Sequence, residues 1–92
     1  MEPVSARTRV LAGRIAGAAD TAHGIGTRVA AVDGVDWQGA TATEFRTRLR
    51  TLVAATAALA AACDETAGRL AVHADRLAGI EQSAAALVRA AA

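Results

Sequence analysis

Val35-Asp36-Trp37-Gln38-Gly39 divides this 92-residue chain. It holds the only Trp, and it separates two long runs of helical periodicity. Before it, apolar or small residues fall at Val4, Thr8, Leu11, Ile15, Ala18, Ala22, Ile25, Val29 and Val32. The steps alternate four and three, a heptad seam without a stutter. After it the pattern resumes at Phe45, Leu49, Leu52, Thr56, Leu59, Cys63, Thr66, Leu70, His73, Leu77, Ile80, Ala84 and Leu87. Two helical arms joined at a bend predict an all-α, antiparallel two-helix hairpin. Its expected parts are helix one over about 3–33, a bend over 34–40 and helix two over about 41–90.

Secondary rows of small residues flank both seams. Ala12, Ala19 and Gly26 widen the first, while Val53, Ala60, Ala67, Ala74 and Val88 widen the second, giving the broad stripe of a bundle helix. Arg7, Arg14 and Arg28 recur at heptad spacing on the opposite flank, and such a row can select an acidic partner. Gly24 and Gly26 flank Ile25, either at a close backbone contact or at a soft spot. Pro3 suits a first helical turn, and Gly34 the position after a last one. Thr41-Ala42-Thr43-Glu44 fits a capping box for helix two, with Asp36 as a competing cap. Trp37 then lies at the seam's end, and Gly39 lets the chain pass close beneath it.

Composition limits the energetics. Of 92 residues 27 are Ala, against one Phe, one Trp and no Tyr, so helices form easily but bury little apolar area. One Cys allows no internal disulfide, and no Cys/His set has zinc spacing. Oligomerisation is the expected remedy for so small a core. The ten basic residues leave a net charge of only +1, without the excess that nucleic acid requires. The apolar stretch between Arg50 and Asp64 is shorter than the ~20 residues of a membrane span. The N-terminus lacks an apolar signal core, so the chain is expected to be cytoplasmic when made and, if exported, to leave without a cleaved signal peptide.

Trp37-x-Gly39 between two uninterrupted helical heptads, Phe45 downstream and the length of the chain together resemble the WXG family. These are the small helical-hairpin proteins of type VII (ESX) secretion systems. The resemblance covers nearly the whole chain and implies a hairpin that pairs with itself or with a sister WXG-type protein into a four-helix bundle. It makes Trp37, Gly39 and Phe45 the bend motif. One departure concerns export: without Tyr, the family's Tyr-x-x-x-Asp or Tyr-x-x-x-Glu signal cannot be present.

Folding the arms about Trp37 places Ile25 opposite Leu49, Leu11 opposite Cys63 and Val4 opposite Leu70. That register leaves Leu70 to Ala92 uncovered, about 33 Å of helix. Leu77, Ile80 and Leu87 on this overhang, with Arg7, Arg14 and Arg28, are the candidate partner-binding residues. Cys63 and His73, with Asp75, invite a nucleophile–base reading, but ten positions on one helix separate them by about 15 Å. Cys63 is read as a small core residue, His73 as a partly solvated seam residue and His23 as an outer-face residue. No triad, phosphate loop or metal set is legible, so no catalytic, cofactor or metal residue is assigned. The resulting expectation is a non-enzymatic type VII secretion substrate or dimer partner. Its alternatives are a cytosolic chaperone or adaptor for a helical segment of a larger secreted toxin, and a small Cys63/His73 hydrolase.

Overall fold

A computed structural model of the chain describes residues 2–33 and 38–92. It consists of two α-helices, α1 (Val4–Asp33) and α2 (Ala40–Ala91), packed against each other. They run antiparallel, because Ser5 near the start of α1 meets Glu81 near the end of α2, and Gly26 meets Thr56. The 52 residues of α2 set the 79 Å long dimension, close to the length expected at about 1.5 Å per residue. This is the helical hairpin that the periodicity predicts. Trp37, together with Gly34 and Asp36, lies outside the described residues.

Small side chains form the seam between the helices. Ala19, Ala60 and Ala74 are fully buried, and Ala12, Ala22 and Ala67 nearly so. No large side chain among the described residues is fully buried. Among the described glycines only Gly26 is crowded: an added Cβ would lie 2.8 Å from Thr56 Oγ1. The close-contact account of Gly26 therefore holds, whereas Gly24 faces open space.

Relative to the expected seam, both helices are rotated by one position. The row Ala12–Ala19–Gly26 replaces Leu11–Ala18–Ile25, and Val53–Ala60–Ala67–Ala74 replaces Leu52–Leu59–Thr66–His73. Ile15, Val29, Leu49, Thr56, Cys63, Leu70 and Leu77 stay half-buried at the contact. Small residues let two backbones approach closely, and the larger residues beside them are left on the surface.

The register also differs. A fold-back that pairs Ile25 with Leu49 puts residue 48 opposite Gly26, but its partner is Thr56, eight places later (56 − 48). The same fold-back puts residue 69 opposite Ser5, but its partner is Glu81, twelve places later (81 − 69). A heptad repeat looks the same after a slip of seven residues, so pattern alone could not choose between these registers. The uncovered part of α2 consequently begins after Glu81 rather than at Leu70.

The capping box expected at Thr41–Glu44 does not form. Thr41 already lies inside α2, whose cap is Gly39, with no side-chain cap bond. The Gly39 carbonyl accepts both the backbone N–H and the hydroxyl of Thr43, each at 3.1 Å. Gly39 has φ 99° and ψ 169°, a conformation essentially reserved for glycine. Among the described residues nothing lies within 4 Å of where its Cβ would be, so the positive φ is what calls for glycine here; the expected passage beneath Trp37 lies outside the described residues.

Candidate helix-docking face

Rotation of the seam onto small residues leaves two apolar rows on the surface. On α1 the row is Val4, Leu11, Ala18, Ile25 and Val32; on α2 it is Phe45, Leu52, Leu59, Thr66, His73, Ile80 and Leu87. Their larger apolar members are exposed, from 39% at Phe45 and Val32 to 73% at Leu87. Each row sits one residue before the small-residue row of its own helix. In an antiparallel pair, rows with that relation lie on the same side of the seam. The hairpin thus carries one long apolar face.

The opposite side of the seam carries polar pairs between the helices. Arg9 pairs with Asp75 at 2.8 Å, and His23 Nε2 lies 3.7 Å from Asp64. At the far end, the Glu81 carboxylate accepts the Ser5 backbone N–H at 3.0 Å and the Ser5 hydroxyl at 2.6 Å. An acid from α2 therefore caps the first turn of α1, which contains no acid itself. The Ser5 hydroxyl bond lowers the Glu81 pKa most, followed by the Ser5 N–H and nearby Arg9; partial desolvation opposes them.

Each expected site residue except Trp37, which lies outside the described residues, now has a place. Ile80 and Leu87 are strongly exposed on the apolar face and line a shallow groove with Arg76, Gly79, Ser83 and Ala84. Leu77 instead belongs to the intramolecular seam, half-buried, because α1 reaches past it to Glu81. Phe45 stands on the exposed row, and Gly39 caps α2. Arg7, Arg14 and Arg28 are exposed on α1. Cys63 is a half-buried thiol of the seam, while His73 is exposed one row away from it. That overturns the seam position expected for His73, and the reason is again the rotation of α2. His23 faces Asp64 on the opposite side.

Among the described residues no His, Cys, Asp and Glu cluster could hold a metal ion, and no helix is long and apolar enough to cross a membrane. No family model, curated protein or solved structure matches this chain. What the geometry offers is an exposed apolar face along one side of the hairpin. Sequence reasoning missed that the two large-residue rows share a side; the signal was their common offset of one residue from the alanine rows.

Proposed function

We propose that this chain is a non-enzymatic helix-binding protein. Its apolar face pairs with another helical chain to complete a four-helix bundle, and the pairing serves type VII (ESX) secretion, with the chain as substrate or dimer partner. One observation carries the helix-binding reading: the hairpin buries alanines in its own seam and leaves Leu11, Ile25, Leu52, Leu59, Ile80 and Leu87 exposed in two surface rows on one side. Exposed apolar patches of this extent mark interaction sites. Bundle helices characteristically bury a stripe broader than one neighbour covers. The secretion assignment rests on the Trp37-x-Gly39 resemblance, to which the two-helix architecture is suited.

Sedimentation of the chain, alone and mixed with separately produced products of neighbouring genes, tests the binding. The expected result is a stoichiometric complex that melts above either component. Leu11→Ser, Leu52→Ser and Leu59→Ser together should abolish it without changing the helix content of the free chain, since all three are exposed in the hairpin. A cooperative, folded monomer indifferent to every partner would overturn the reading. Export is tested separately: the protein should enter culture supernatant only when the secretion system is intact. Retention together with binding to a larger secreted protein would favour the chaperone or adaptor reading.

A further inference from the structure

The apolar face has a rim of one sign. On α1, the row three residues after the apolar one reads Arg7, Arg14, Thr21, Arg28. On α2 the equivalent row reads Arg48, Ala55, Ala62, Arg69, Arg76, Ser83, Ala90. Residues three and four apart are helix-surface neighbours, so each Arg stands beside two members of the apolar row. Neither rim row contains an acid. Arg48 and Arg69 are held from the outer surface by Glu44 at 2.8 Å and Glu65 at 2.7 Å. Among the described residues no acid pairs with Arg7, Arg14, Arg28 or Arg76, although Glu2 shares a groove with Arg7 and Arg14. The net charge of +1 conceals this asymmetry, because Asp64 and Asp75 lie across the seam, Glu81 lies within it, and Glu44 and Glu65 lie behind the rim.

Resting on the helix-binding reading above, we propose that the occupant of this face is not a second copy but a different helical chain whose own apolar stripe is bordered by Asp and Glu. Two copies laid face to face bring Arg rim against Arg rim in either orientation, because both edges carry the same sign. Like charges across a helical interface disfavour the pairing, whereas an acidic-rimmed partner gains steering and specificity from the same residues. Salt should act in opposite directions on the two assemblies. Screening relieves repulsion in the self-pair and weakens attraction in the mixed pair.

A charge-reversed copy of the chain, carrying Arg7→Glu, Arg14→Glu, Arg28→Glu and Arg76→Glu, is the probe. Circular dichroism should first show the native helix content, since all four positions are exposed. Mixed with the unaltered chain in 50 mM salt, it should form a heterodimer at least tenfold tighter than either self-pair. In 1 M salt that preference should shrink severalfold. A second copy with Thr51→Glu, Ala58→Glu and Ala86→Glu, on the outer surface, should show no such preference. If the charge-reversed copy is poorly helical, the neutral variant with Gln at the same four positions decides: its self-association should exceed that of the unaltered chain. Equal stability of self-pair and mixed pair, or a Gln variant that associates no better, overturns the acidic partner while leaving helix binding intact. Loss of all association together with insensitivity to the Leu11, Leu52 and Leu59 changes would overturn the helix-binding reading itself.

Discussion

Glycines in this hairpin have opposite roles, and a single methyl group separates them. At Gly39, φ is 99° and no described residue crowds it, so the obstacle to a side chain is the backbone itself. Gly39→Ala is expected to cost about 1–3 kcal/mol in thermal melting. At Gly24 the backbone is helical and the space is also open, so Gly24→Ala should stabilise by about 0.5–1 kcal/mol. Gly26 is the third case. Its new methyl would strike Thr56 Oγ1, whose hydroxyl is tied to the Val53 carbonyl at 2.8 Å and cannot swing away freely. Gly26→Ala should therefore lose its propensity gain to overpacking, and should recover it in the Thr56→Ala background. That double-mutant cycle also tests the register, because a fold-back pairing Ile25 with Leu49 would give zero coupling. Glu81 supplies a pH signature. Its folded pKa lies below that of an ordinary Glu carboxyl, so its contribution is present above the unfolded pKa and is lost as pH falls through the folded pKa. Protection of the Ser5 amide, taken relative to its intrinsic exchange rate at each pH, should fall over that acid range, and Glu81→Gln should remove that fall.

At the scale of elements, α2 outlasts α1. The last cross-helix bond is at Glu81, and Gln82 to Ala92 continue for about 16 Å without cover from α1. Leu87 and Val88 on this segment are 73% and 71% exposed. Truncation after Ser83 is expected to leave the melting of the free hairpin within about 0.5 kcal/mol, since only exposed residues are removed. A larger loss would mean that α1 reaches farther along α2 than Ser5. The existence and lengths of both helices were legible, because the 3–4 periodicity ran from Val4 to Leu87 with one interruption. Which of two adjacent rows would face inward was not. Leucine rows and alanine rows are both apolar at heptad spacing, and choosing between them is a matter of how close the backbones come. The capping box was misread for a local reason: Gly39 starts α2 two residues earlier than the Thr41 motif would, so Thr43, not Thr41, bonds back to the cap.

For the whole molecule, a 79 Å hairpin whose buried residues, among those described, are only alanines and Ser5 has little to hold it upright alone. Its melting temperature should rise with added partner by mass action, by the equivalent of about 2.7 kcal/mol at a hundredfold excess over Kd. Calorimetry across a partner titration checks this, and a transition independent of partner concentration would contradict it. By itself the sequence determined helix content, the two-arm hairpin and the supply of apolar residues for more than one interface, because these follow from local propensity and from a periodicity visible in one dimension. The register, the rotation onto the alanine rows and the union of the leucine rows with an arginine rim on one side were decided only in the tertiary structure. Heptads are degenerate to slips of seven, and only contacts between distant residues, such as Gly26 with Thr56 and Ser5 with Glu81, lift that degeneracy.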